Sequence, residues 1–145
     1  MTRALLVLAV AVLVAADTAK DGGKSDLKKL EGTWALTSGV DNGKKLSGDA
    51  LKGTRLTIEG NKHTVKVGET TYKGTHKLGP SKDPKTIDIM DTEGPFKGKT
   101  VKGIYQLTAD EFRICYSPPG KDRPRDFTAK AGSGHHSHVW KRVKK

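Results

Sequence analysis

From Thr33 to Val143 the chain is a series of short segments in which apolar and polar residues alternate, with turn residues between them. A period of two is that of a strand with one buried face. Trp34 and Leu36 share a face in "TWALTS", Leu56 and Ile58 in "TRLTIEG", and His63, Val65 and Val67 in "HTVKVG". Tyr72, His76 and Leu78 do so in "TTYKGTHKL", and Ile87 and Ile89 in "KTIDIMD". "KTVKGIYQLT" carries Val101, Gly103, Tyr105 and Leu107, "EFRICYS" carries Phe112, Ile114 and Tyr116, and "HSHVWKRV" closes the series. Gly60-Asn61 and Gly68-Glu69 suit hairpin turns, and Ala109-Asp110 does so less well. Short sequential connections favour up-and-down order, and strands in that order can close on themselves and remove exposed edges. The expected fold is all-β, a small antiparallel eight-stranded barrel with a short N-terminal helical turn.

Two connections are longer. Residues 39–52 join the first two strands and are expected to form a lid with a turn of helix around Asp49-Ala50-Leu51. Residues 117–134 join the last two; they read as a functional loop at the barrel mouth, or as a plug with Phe127 in one end. Ahead of the first strand, Ser25 or Asp26 can cap a helical turn that places Leu27 and Leu30 on one side. Gly32 can end that turn.

The N-terminus reads differently. Thr2-Arg3 precedes an uncharged run of Ala, Leu and Val from Ala4 to Ala16, too short to span a bilayer comfortably. Small residues at Val14-Ala15-Ala16 suit cleavage before Asp17, the layout of a secretory signal peptide. An uncleaved N-terminal anchor is the alternative. The expected organisation is a signal peptide at 1–16, a flexible linker at 17–26 and one domain at 27–143. That places the mature protein in the periplasm or outside the cell, as a monomer with no stable membrane span. Cys115 is the one cysteine, so no internal disulfide can form. It reads as a small, semi-buried strand residue, with an intermolecular bridge as the alternative.

Lys and Arg number 27 against 16 Asp and Glu, a formal net charge of +11. The basic residues are scattered over nearly every segment. Nucleic-acid binders concentrate them on one face or helix, which argues against that role. Scattered lysines make a solvated exterior, one that can also adhere to anionic envelope polymers or to proteins.

Gly32-Thr33-Trp34 at the entrance to the first strand resembles the calycin group of lipocalins, fatty-acid-binding proteins and avidins. That resemblance implies a Trp closing the barrel floor with a basic side chain from the last strand over its ring. Arg142 is the expected cover, with Lys141 as the alternative. The runs "PSKDPKTIDIMDTEGPFKGKTVKGIY" and "CYSPPGKDRPRDFTAKAGSG", with "LEGTW" and "VWKRV" at the ends, resemble an uncharacterised lipocalin-like domain family abundant in planctomycete bacteria. The resemblance covers residues 27–143. It implies a small lipocalin-like fold and frequent export, and it brings no activity, cofactor or catalytic residue. Cys falls at the position of Cys115 in that family pattern, whereas His135-His136-Ser137-His138 departs from it.

The chemistry-bearing residues are few. His136 and His138 share a strand face, with His135 on the other. No carboxylate or Cys adjoins this trio in sequence and no fourth ligand is evident, so the expectation is no specific metal site, only weak binding of Ni²⁺ or Cu²⁺. No Gly-x-Ser-x-Gly elbow, phosphate loop or dinucleotide fingerprint is present. Ser133 near His135 reads as loop. Asp83, Asp88, Asp91 and Glu93 could offer paired carboxylates only if the fold set two of them across a cleft. The expectation is a binding protein, not an enzyme, with no cofactor. Its ligand would be small and apolar, held in a barrel cavity where Tyr72, Tyr105 and Tyr116 could supply hydroxyls. A core packed solid by its bulky inward residues is the alternative.

Overall fold

The computed structural model describes residues 24–144, and in them the eight alternating segments are antiparallel strands of one closed sheet. The expected signal peptide at 1–16 and residues 17–23 of the expected linker lie outside the described residues. Helix α1 spans residues 24–30, so Lys24, Ser25 and Asp26 are helical where linker was expected. Strand β1 runs Gly32–Asp41, the two-residue β2 is Lys44–Lys45, and helix α2 is Gly48–Lys52. Then follow β3 (Thr54–Glu59), β4 (Lys62–Val67), β5 (Thr70–Gly79), β6 (Lys85–Glu93), β7 (Thr100–Leu107), β8 (Glu111–Tyr116) and β9 (His136–Arg142).

Each barrel strand pairs with its neighbour in sequence, β2 standing aside as a short hairpin on β1, and β1–β9 pairing closes the ring. Connections therefore alternate between the two ends. The turns after β3, β5 and β7 lie at the end where β1 begins. Residues 42–53, 68–69, 94–99 and 117–135 lie at the other. Inward residues follow the period-two pattern closely: β3 alternates buried and exposed residues along its whole length.

The end where β1 begins is closed. α1 lies across it, with Leu30 and Trp34 fully buried. Trp34 Nε1 donates to the carbonyl of Leu30 at 2.8 Å, and the Trp34 and Phe112 rings stand 6.0 Å apart. Asp26 is buried inside α1 and does not cap it. Its Oδ2 accepts from Tyr105 Oη at 2.7 Å and from Lys85 Nζ at 3.0 Å. The charge pair anchors the helix to β6 and β7.

The 117–135 connection lies against the outer face of the sheet. Arg123 donates to the carbonyls of Ile87 and Gly103 and pairs with Asp88 at 2.7 Å. Ser137 Oγ donates to the carbonyl of Phe127 at 2.7 Å. The Phe127 ring stands beside the Arg113 guanidinium, 6.0 Å away, and so does not plug the barrel. This cover explains why Ile104 and Cys115, paired across β7 and β8 on the outward side, are almost wholly buried. Burial, then the charge of Asp126, pushes the Cys115 thiol up to about 11, so it stays protonated near neutral pH. α2 is capped by Ser47, whose Oγ accepts from Ala50 N at 3.3 Å.

Candidate functional site

The core of the barrel is not filled. A cavity of about 420 Å³ extends from Leu30 at the floor to Leu46, Ala50, Pro95 and Phe96 at the opposite end. That volume lies toward the lower end of the range of small-molecule sites, roughly 300–1,000 Å³. Its wall is mostly aliphatic and aromatic, with Leu36, Leu56, Ile87, Ile89, Ile114 and Trp140 among the contributors. Residues 42–53 supply Leu46 and Ala50 to the rim. The 94–99 turn, which the sequence did not mark as a site element, supplies Pro95 and Phe96.

Of the three tyrosines expected to supply hydroxyls, Tyr72 and Tyr116 line the cavity. Tyr105 does not. Its hydroxyl is committed to Asp26 at the floor, and burial, followed by that bond and its charge, pushes its pKa up. The hydroxyl of Tyr116 is raised as well, by burial first and then by the charges of Asp41, Asp91 and Cys115. Asp88 and Asp91, candidates for a carboxylate pair, sit on opposite faces of β6: Asp88 binds Arg123 outside, while Asp91 lines the cavity.

Two polar groups interrupt the apolar wall. The first comes from β4, β5 and β6. His63 Nδ1 and His76 Nδ1 are 3.2 Å apart, and His63 Nε2 is 3.6 Å from Asp91 Oδ1. Gly74 of β5, directly opposite His63, leaves room for its imidazole. A Cβ there would stand 2.7 Å from His63 Nε2 and 2.6 Å from the carbonyl oxygen of Met90. Burial lowers the pKa of His63 to about 4. Burial and then the charge of His63 lower His76 to about 4 as well, while the nearby backbone carbonyl of Gly60 works weakly the other way. Burial raises Asp91. Both imidazoles are thus neutral at pH 7. His76 is 6% exposed, lines the cavity, and leaves its Nε2 buried without a hydrogen-bond partner among the described residues.

The second group is formed by β1 and β9. His136 Nδ1 lies 2.9 Å and His138 Nε2 2.8 Å from the same oxygen, Oδ1 of Asp41. A bulge in β1 between Leu36 and Ser38 makes this arrangement. Before it the inward residues are Trp34 and Leu36, and after it they are Gly39 and Asp41. A bulge adds one residue to a strand and so switches which residues face in. Asp41 stands directly opposite His136, and Gly39 opposite His138. Burial pushes the Asp41 carboxyl up, but hydrogen bonds to His138 and His136 outweigh it and hold it below the usual carboxylate value. The His136 ring stacks on Tyr116 at 4.9 Å, and His138 meets Tyr116 and Trp140 edge-on. His135 is not part of this group; its carbonyl accepts from the backbone of Asn42 outside it.

No protein-family model matches the chain, and no curated protein does. Among solved structures, a DUF4847 family protein from Bacteroides vulgatus aligns over 88% of this chain and 99% of its own, at 11% identity and a TM-score of 0.47. A closed eight-stranded barrel is the fold that the lipocalin-like resemblance implies, and none of these comparisons assigns the chain to a family.

Proposed function

We propose that the chain is a binding protein, not a catalyst, and that it holds one small, largely apolar molecule inside the barrel with a hydrogen-bonding group turned toward His76. The cavity carries this reading. An apolar wall gives the driving force, because burying apolar surface gains about 25 cal/mol per Å². The orphaned His76 Nε2 adds direction, since a buried polar atom without a partner costs about 1–3 kcal/mol until something satisfies it. A neutral ligand with a single hydroxyl or carbonyl suits both features. The signal-peptide pattern of the sequence at 1–16 supports a site of action outside the cytoplasm.

Fluorescence titration with N-phenyl-1-naphthylamine, a neutral apolar probe, tests the reading. Saturable binding at one probe per chain, unchanged between low and high salt, is the expected result. Binding that collapses with salt would instead favour charge-driven adhesion through the basic exterior, because exposed charges are screened within about 10 Å at 0.1 M salt. No saturable binding would overturn the proposal.

A further inference from the structure

We infer that Asp41, His136 and His138 form a site for one divalent transition-metal ion on the inner face of the barrel. One carboxylate and two imidazoles each offer a ligand atom, and the three atoms lie within 4.8 Å of one another. Protein ligands sit about 2.0–2.2 Å from such an ion, so two of them on adjacent tetrahedral positions stand about 3.4 Å apart. The observed separations of 2.9 and 2.8 Å from Asp41 Oδ1 to the two ring nitrogens are hydrogen-bond distances, so the three groups need part by only about 0.5 Å to admit the ion. Each ring presents its facing nitrogen to the same oxygen, and to bind the ion through that nitrogen each imidazole carries its one proton on its other ring nitrogen.

The donor set selects the class of ion. Imidazole favours zinc, copper, iron and nickel, whereas calcium and magnesium take oxygen ligands. Three protein ligands leave coordination positions free for water or a bound molecule, the pattern of open sites and not of closed structural ones. Asp41 and His138 both line the cavity, so those free positions open onto it.

The site is built and not a chance meeting of surface side chains. Register pairs Asp41 with His136, and the β1 bulge turns Asp41 inward. Gly39 leaves room first for Leu46, whose side chain a Cβ there would strike, and then for the neighbouring ring, since that Cβ would stand 3.1 Å from His138 Cδ2. Tyr116 fixes the plane of His136. The sequence argued against a metal because no carboxylate adjoins the histidines; the fold supplies one from 97 residues away.

Calorimetry with Zn²⁺ on the chelator-treated full chain tests this, together with Cu²⁺ electron paramagnetic resonance. The expected result is one equivalent of Zn²⁺ and a Cu²⁺ spectrum with superhyperfine coupling to two nitrogens. Asp41→Asn keeps the side chain's size and should weaken Zn²⁺ at least about tenfold, as even outer-shell substitutions cost 10–100-fold. The double variant His136→Ala/His138→Ala should lose the site, and His135→Ala should bind as wild type. If the double variant fails to fold, Asp41→Asn decides. No stoichiometric binding, or binding that survives Asp41→Asn undiminished or falls with His135→Ala, would overturn the inference and leave adventitious ions only.

Discussion

The Arg142 guanidinium stands 4.2 Å from the centre of the Trp34 ring and closes the barrel at the end where β1 begins. The same group donates from Nε to the carbonyl of Ala109 at 2.8 Å, from Nη1 to that of Glu31 at 2.7 Å, and from Nη2 to that of Lys29. A cation thus satisfies carbonyls at the C-terminal end of α1 while it covers the indole. Gly32 belongs to the same unit. Its φ is +126°, and a Cβ would stand 2.8 Å from Arg142 Nη1. The Gly-x-Trp spacing therefore has a physical cause: glycine lets the guanidinium reach the ring two residues on.

Emptying the Trp34 site should cost about 3–5 kcal/mol, the usual range for removing a large buried aromatic. Arg142→Ala should cost less, with the cation–π part worth roughly 0.5–2 kcal/mol. Gly32→Ala should also destabilise, through its positive φ and its clash with Arg142. Urea melts of the three variants check this. A Trp34→Ala protein as stable as wild type would contradict the floor assignment.

Tyr105→Phe separates the floor from the cavity. It removes the 2.7 Å bond to a buried carboxylate and leaves Asp26 with Lys85 alone. A loss of about 1–3 kcal/mol is expected. Affinity for N-phenyl-1-naphthylamine should not change, because Tyr105 does not line the cavity. Tyr116→Phe should do the reverse to binding. Reduced probe affinity in Tyr105→Phe at unchanged fold would contradict the placement.

Acid should destabilise the protein through His63 and His76. Both are held at about 4, against 6.5 in an unfolded chain. Between those values the unfolded state binds more protons, so stability is present above about pH 6.5 and is lost as pH falls toward 4. One such group accounts for about 3 kcal/mol over that window. Asp91, raised by burial, acts in the opposite sense and offsets part of the slope. Denaturant melts at stepped pH should show the decline, and His76→Gln should flatten it. A stability curve level from pH 6.5 to 4 would contradict the buried neutral pair.

The barrel was legible in the sequence because period-two alternation holds through most of the strands outside the β1 bulge, and β3 shows it without exception. The α2 turn was legible from Asp49-Ala50-Leu51, and Trp34 from its glycine. Asp41 was not. Counting by twos from Trp34 and Leu36 turns Val40 inward and Asp41 outward, and the bulge before Ser38 reverses both. Such a bulge leaves no clear mark in "TWALTSGVD". Tyr105 was misplaced along the barrel axis, because alternation gives a residue's face and not its depth. The plug alternative for Phe127 rested on its apolarity alone; a loop laid on the outer face uses the same residue type against Arg113.

For export, mass spectrometry of native material should find the mature N-terminus near Asp17, as the small residues at Val14-Ala15-Ala16 suit cleavage there. An intact Met1–Ala16 segment would contradict it.

Methyl NMR of the full chain titrated with a neutral long-chain alcohol tests the occupied barrel most directly. The methyl groups of Ile87, Ile89 and Ile114 line the cavity, Ile104 is buried outside it, and Val143 is exposed. The account predicts saturable shifts at the first three, with cross-peaks to the alcohol, and none at Ile104 or Val143. Shifts confined to Val143 and Met90, or no saturable shifts at all, would contradict it.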